Sequence, residues 1–152
     1  MEKYYIAYGS NLNEAQMRQR CPGAKRIAAG TLEGYRITFR SNWRIGVANI
    51  EPRKGSSVPV GIWAISAQNE KSLDRYEGFP TLYTKETVRI KLPDLRTVDA
   101  IIYVMPPHRP WAKPSADYLN VIKQGYKDFG FDNRKLIYAA RNPTPLSSPK
   151  FE

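Results

Sequence analysis

The chain has few of the residues that usually build disulfides and metal sites. It contains one cysteine, Cys21, and one histidine, His108, among 152 residues. A single cysteine excludes a disulfide within the chain and a cysteine-rich zinc site. His108 lies in a proline-rich segment without a second histidine or a cysteine nearby, which makes it a poor metal ligand or catalytic base. We therefore expect no metal ion.

Long apolar runs are also missing. No stretch approaches the roughly 20 apolar residues that a membrane-spanning helix needs, and the first residues do not have the pattern of a signal peptide. With 41% apolar and 25% charged residues, the composition is that of a folded globular domain. We expect one domain over residues 1–141, a tail containing Pro and Ser over residues 142–152, a cytoplasmic location and no membrane partner.

Negative charge is scarce. Only 14 Asp and Glu face 24 Lys and Arg, so the formal net charge is +10. Such a surplus can indicate nucleic-acid binding, but the basic residues are scattered, and the longest runs are pairs such as Lys25-Arg26 and Arg53-Lys54. We expect a solvated basic surface that raises the local concentration of a small anionic substrate, and no nucleic-acid partner.

Strands and helices do not alternate one for one, which argues against a doubly wound parallel sheet. We predict roughly seven strands and four helices, and hence an α+β fold with a mixed sheet or barrel and helices outside it. Strand patterns cover residues 3–7, a bent pair within 24–40, then 46–50, 58–65, 84–92 and 98–104, with a turn at 53–57. Helix patterns cover residues 13–20, 68–76, 115–129 and 133–140. Asn13 or Asn11 can cap the first of these helices, and Ser115 caps the third.

The segment Tyr8-Gly9-Ser10-Asn11-Leu12 lies where the first strand gives way to the first helix. Gly9 allows a turn and the close approach of a ligand to the backbone. Ser10 and Asn11 offer side-chain hydrogen bonds, and the N–H groups that follow can bind an anion. A plain turn with a helix cap would use the same residues, and the segment lacks the longer glycine and lysine pattern of a nucleotide-binding P-loop.

Glu77 is the second candidate, at the carboxyl end of a predicted helix. Backbone carbonyls there disfavour a second negative charge, and the neighbouring Tyr76, Phe79 and Pro80 can exclude water. Both effects raise the pKa of a carboxyl group, as a general base working near neutral pH requires. An exposed glutamate before a glycine cap is the simpler alternative.

The two segments occur in an order that resembles the γ-glutamylcyclotransferase, or AIG2-like, family. The segment 8–12 looks like the family's substrate loop, and residues 60–63 leading to 73–78 look like the part that ends in the catalytic glutamate. Pro114-Ser115-Ala116-Asp117-Tyr118, followed by Ile122 and Gly125, is similar to the family's C-terminal helix signature. The resemblance extends over about residues 3–140.

This resemblance implies a mixed-sheet β-barrel surrounded by helices, and an enzyme that releases 5-oxoproline from a small-molecule γ-glutamyl substrate. By position, Glu77 would be the general acid/base. The residues that would hold the substrate are Tyr8, Gly9, Ser10, Asn11, Leu12, Tyr83, Tyr103 and Tyr118. The resemblance implies no cofactor, and Ser10-Asn11 favours γ-glutamyl amino acids over glutathione or γ-glutamylamines.

Two other functions stay open. The chain could be a small-molecule-binding module on the same fold without turnover, which a test for product release from γ-glutamyl dipeptides would distinguish. It could also bind single-stranded nucleic acid on its Tyr and Trp side chains, in which case binding would depend strongly on salt. The sequence does not predict an oligomeric state.

Overall fold

The computed structural model describes residues 3–106 and 109–146. These parts of the chain contain five β-strands and four α-helices. The strands are β1 Lys3–Ala7, β2 Lys25–Ser41, β3 Gly46–Ile65, β4 Thr84–Lys91 and β5 Thr97–Val104. The helices are α1 Glu14–Arg20, α2 Ala67–Glu77, α3 Ala116–Phe129 and α4 Arg134–Arg141. The expectations for His108 and for tail residues 147–152 lie outside the described residues.

The five strands form one mixed sheet in the order β2-β3-β1-β5-β4. β1 pairs parallel to β5, and the other neighbours are antiparallel. The predicted α+β class with a mixed sheet is confirmed. A Cβ on Gly30 of β2 would lie 3.4 Å from Ile90 Cδ1 of β4, so the two edge strands approach each other. No β-ladder joins these edges in the described residues, and the word barrel therefore applies only loosely.

The prediction of a turn at residues 53–57 is wrong, because β3 continues through this segment. Glu33 pairs with Ser57 whereas Tyr35 pairs with Pro52, so β2 advances by two residues while β3 advances by five. The extra residues form a bulge in which Gly34 and Gly55 have φ values of 82° and 83°, a conformation that glycine adopts readily. The turn-forming residues therefore distort a long hairpin instead of dividing its strands. The strand pair predicted within residues 24–40 is the single strand β2, and the strands predicted at 46–50 and 58–65 are the single strand β3. The described residues thus contain five strands instead of the predicted seven.

Local capping residues set the ends of α2. The Ser66 hydroxyl accepts from the Asn69 N–H at 3.1 Å, and the Asn69 side chain accepts from the Ser66 N–H at 3.1 Å. This reciprocal pair is a capping box. Gly78 ends the helix in the left-handed conformation with φ of 64°, as glycine often does at this position. As a result Glu77 is the last residue of α2.

Close packing brings α3 against the segment that follows β1. A Cβ on Gly125 of α3 would lie 2.6 Å from the Asn13 nitrogen and 2.6 Å from the Leu12 carbonyl carbon. Leu12 is fully buried, and Asn13 caps α1 by accepting from the Gln16 N–H at 2.9 Å. A glycine in α3 is therefore what allows the chain after β1 to lie directly on this helix.

Within the described residues, no helix is both long enough and apolar enough to cross a membrane.

Candidate active site

One cavity is lined by residues of both predicted motifs. Glu77 at the end of α2 and the segment 9–11 after β1 both contribute to its wall. The empty space is about 270 Å³, including the opening to solvent. The remaining lining residues are Tyr5, Tyr8, Ala48, Tyr83 and Tyr118. The fold thus brings together residues that are 66 positions or more apart in the sequence.

The Glu77 carboxyl group has unusual surroundings for a glutamate. Burial raises its pKa to about 7, and the positive charge of Arg20 opposes this effect only in part. In the described parts of the chain, no N–H or O–H group donates a hydrogen bond to this carboxyl group. Its oxygen lone pairs are therefore free to accept a proton from a molecule bound in the cavity.

Two tyrosines hold the backbone of Ala48 at the wall of the cavity. The Tyr83 hydroxyl donates to the Ala48 carbonyl at 2.6 Å, and the Ala48 N–H donates to the Tyr118 hydroxyl at 3.0 Å. Burial raises the pKa of both tyrosines, so both remain neutral near pH 7. The Tyr118 oxygen is an acceptor here, and its proton has no acceptor in the described residues. Tyr118 is therefore available as a donor to a ligand.

The segment 9–12 forms a single 3-10 turn. The Leu12 N–H donates to the Gly9 carbonyl, and the Asn13 N–H donates to the Ser10 carbonyl, each at 3.0 Å. The N–H groups of Ser10 and Asn11 have no acceptor within the described chain, as expected at the start of a helical turn. Two backbone donors are therefore unpaired in a segment that lines the cavity.

The side chains of Tyr8 and of the turn that follows it are hydrogen-bonded to neighbouring elements. The Tyr8 hydroxyl donates to the Tyr103 carbonyl at 2.6 Å. The Asn11 amide donates to the Tyr5 hydroxyl at 2.9 Å, and Ser10 Oγ lies 2.7 Å from the Tyr76 hydroxyl. Because these bonds reach β1, β5 and α2, they fix where the turn lies relative to the sheet and to Glu77.

Two residues predicted to hold substrate are not part of the cavity wall. Leu12 is fully buried, and its Cδ2 would lie 2.9 Å from a Cβ on Gly61 of β3. The Tyr103 hydroxyl donates to the Asp74 carboxylate at 2.5 Å, so it faces α2. The other predicted residues, Glu77, Tyr8, Gly9, Ser10, Asn11, Tyr83 and Tyr118, all line the cavity.

Sequence reasoning missed Tyr5 and Ala48. Tyr5 lies on the tyrosine-rich strand β1, which leads directly into residues 8–12. This position next to the predicted substrate loop is the sequence feature that could have indicated it. Ala48 contributes backbone atoms from the middle of β3, so its residue type carries no signal.

No group of three or more His, Cys, Asp or Glu residues in the described ranges is arranged to hold a metal ion.

Comparisons with known proteins give a consistent result. A family model described as "Gamma-glutamyl cyclotransferase, AIG2-like" matches residues 5–125. The chain is 28% identical to human gamma-glutamylcyclotransferase over 134 residues, covering 83% of this chain and 71% of the human protein. The mouse protein of the same name has the same identity and coverage.

Solved structures show the same fold. One described as gamma-glutamyl cyclotransferase has a TM-score of 0.79 at 24% identity, covering 98% of this chain and 92% of that one. A crystal structure of a human protein described as uncharacterized has a TM-score of 0.80 at 26% identity, covering 97% and 92%. The chain therefore has the same fold as these two proteins.

Proposed function

Because the chain belongs to the gamma-glutamyl cyclotransferase, AIG2-like family of enzymes, we propose that it releases 5-oxoproline from a γ-glutamyl amino acid or a related γ-glutamyl amide. One observation carries the proposal. Glu77, whose pKa burial raises to about 7, lines the same cavity as the substrate-loop segment 9–11. The family match spans both parts of this site.

The proposed reaction uses a nucleophile that the substrate itself carries. The α-amino nitrogen attacks the γ-carbonyl carbon and forms the bond that closes a five-membered ring. The amide bond to the leaving amine then breaks. Because attack is intramolecular, holding the substrate in a folded conformation removes much of the entropic barrier.

Glu77 is the proposed general acid/base. A carboxyl group with a pKa of about 7 is ionised in about half of the molecules near neutral pH, which suits both proton uptake and proton return. In the proposed sequence it takes a proton from the attacking amine and gives it to the departing nitrogen. No donor in the described residues forms a hydrogen bond with this carboxyl group. This supports the role, because the attacking amine would not compete with a protein group for the carboxyl oxygens.

The unpaired donors of the cavity complete the proposal. Attack on the γ-carbonyl places negative charge on its oxygen, and the substrate also carries an α-carboxylate. The N–H groups of Ser10 and Asn11 and the hydroxyl of Tyr118 are the donors that we propose for these two groups. Donors that are already fixed in position stabilise developing charge without further reorganisation.

The test is 5-oxoproline formation from three panels: γ-glutamyl amino acids, γ-glutamylamines and glutathione. We expect release from the first panel, and Glu77→Gln should lower the rate by roughly 10²–10⁴-fold. The matched control is Glu33→Gln, an exposed glutamate of β2, which should keep the wild-type rate. Wild-type activity in Glu77→Gln would overturn the role of Glu77. Binding without release by the wild-type protein would favour a binding module.

A further inference from the structure

Arg20, the last residue of α1, connects both halves of the site although it does not line the cavity. Its guanidinium carbon lies 3.4 Å from the centre of the Tyr76 ring. Nη1 donates to the side-chain oxygen of Asn11, and Nη2 donates to the Gln16 side chain at 3.0 Å. Tyr76 immediately precedes Glu77, and Asn11 belongs to the turn. One side chain therefore contacts the element on each side of the cavity.

We propose that Arg20 is a positioning residue that holds the turn 9–12 against the last turn of α2. The inference rests on the proposed function for its effect on rate. Tyr76 is held at two points, because Arg20 stacks on its ring while its hydroxyl meets Ser10 Oγ at 2.7 Å. Displacement of either element would change the distance between Glu77 and the donors of the turn.

The contact with Asn11 also orients a group of the cavity wall. The Asn11 side chain has one oxygen, which accepts from Arg20, and one NH₂ group, which donates to the Tyr5 hydroxyl at 2.9 Å. Because Arg20 can only donate, it selects the amide orientation in which the NH₂ group points to Tyr5. A lysine would supply the charge but neither the planar stacking surface nor the fork of donors.

The charge of Arg20 acts on Glu77 as well. Burial raises the pKa of Glu77 and Arg20 lowers it. The other titratable groups that face Glu77 are tyrosines: Tyr5 of β1, Tyr8 after it, Tyr83 before β4 and Tyr118 of α3. Tyr76 directly precedes Glu77 in α2. Among the described residues, Arg20 is the charged side chain that acts on Glu77.

The first experiment compares Arg20→Gln and Arg20→Lys with Arg18→Gln, an exposed arginine of the same helix. The pH dependence of kcat/KM for 5-oxoproline release is measured for each. Arg20→Gln should move the midpoint of the acid limb upward and lower the plateau by up to about 10²-fold. Arg20→Lys should lower the plateau with little movement of the midpoint, since the charge remains. Arg18→Gln should match the wild type.

A second experiment needs no turnover. The carboxyl carbon of Glu77 is titrated by NMR in the unliganded protein, with Glu77→Gln identifying its signal. Amide hydrogen exchange is followed at Leu12 and Asn13, whose N–H groups donate to the Gly9 and Ser10 carbonyls of the turn. Arg20→Gln should raise the titration midpoint and speed exchange. A wild-type protein without 5-oxoproline release would overturn the proposed function while leaving this measurement intact.

The positioning role is overturned if Arg20→Gln and Arg18→Gln give the same midpoint and the same exchange rates. If Arg20→Gln does not fold, Arg20→Lys and Tyr76→Leu replace it. Tyr76→Leu removes the stacking partner and keeps every charge. It should therefore speed exchange at Leu12 and Asn13 without moving the midpoint, and unchanged exchange in both variants would refute the proposal.

Discussion

At the scale of single residues, Glu77 lies where an ionised carboxylate destabilises the folded state. It is the last residue of α2, where backbone carbonyls disfavour negative charge, and burial raises its pKa to about 7. Between the ordinary value of 4.5 and this value the folded protein binds more protons than the unfolded chain. Stability contributed by this group is therefore present at low pH and falls as pH rises through that window.

Replacing the Glu77 carboxyl group should abolish the loss of folding stability at rising pH. We expect Glu77→Gln to match wild-type stability at about pH 4.5 and to exceed it at about pH 8, by at most about 3 kcal/mol for a shift of this size. Urea denaturation of both proteins at the two pH values measures the difference. Equal stability of the two proteins at both pH values would mean that the pKa of Glu77 is not raised.

Tyr103 links the sheet to the helix that carries Glu77. Its hydroxyl donates to Asp74 at 2.5 Å, and Lys85 donates to the same carboxylate oxygen at 2.9 Å. Lys85 also bonds to Glu70 at 2.7 Å. These contacts tie β4 and β5 to α2, so they support the helix that carries Glu77. A role for Tyr103 in holding the substrate stays a prediction.

At the scale of elements, the contact between α3 and the turn decides the shape of the cavity. Tyr118 projects from α3 to the Ala48 backbone, while Gly125 of the same helix lets the chain at Leu12 and Asn13 come close. One helix therefore places both a tyrosine and the turn. Any change in its distance from the turn alters two walls of the cavity together.

Gly125→Ala tests this contact. The new methyl group would lie 2.6 Å from backbone atoms of Leu12 and Asn13, so α3 or the turn must move. We expect a loss of stability, and a loss of kcat/KM per folded molecule of up to about 10²-fold. Both quantities are measured on the same preparation.

The control for this prediction is Gly130→Ala at the end of α3. Gly130 has φ of 75° and nothing within 4 Å of a Cβ, so alanine there should cost roughly 1–2 kcal/mol in stability from strain alone. Its kcat/KM per folded molecule should remain at the wild-type value. If Gly125→Ala also lost stability but kept the wild-type kcat/KM per folded molecule, the close approach of α3 to the turn would not affect catalysis.

At the scale of the whole molecule, a buried ion pair joins the hairpin to the C-terminal segment. Arg40 of β2 is fully buried and donates to both oxygens of Glu51 in β3, at 2.7 and 2.8 Å. The same guanidinium donates to the carbonyls of Thr144 at 2.6 Å and Pro145 at 3.3 Å. Residues 144–145, predicted as part of a tail, are therefore held by the core; the boundary at residue 141 stays a prediction.

Glu51→Gln should be strongly destabilising. Burial opposes ionisation of Glu51, but hydrogen bonds from Arg40 and Thr38 outweigh it and lower the pKa of the carboxyl group. Removing one partner leaves the buried guanidinium charge uncompensated, which costs roughly 3–5 kcal/mol. Urea unfolding measures the effect, with the exposed Glu86→Gln as control. A loss of less than about 1 kcal/mol would show that the Arg40 charge needs no ionised partner.

The sequence alone determined the elements whose limits are set by neighbouring residues. Ser115 caps α3 and Gly78 ends α2, because capping acts over three or four residues and leaves a local pattern. For the same reason the sequence identified Glu77 at a helix end and the turn after β1. For α1 that pattern allowed either Asn11 or Asn13 as the cap, and the structure has Asn13. The cytoplasmic location stays a prediction.

Only the tertiary structure decided what lies next to Glu77. The cavity depends on α3 approaching the turn through Gly125, on the Ala48 backbone facing Tyr83 and Tyr118, and on Arg20 reaching Tyr76. The length of β3 likewise depends on its partner, since a bulge against β2 replaces the predicted turn. Pairing register and side-chain packing join residues far apart in the chain, and such contacts leave no periodic pattern in the residues that make them.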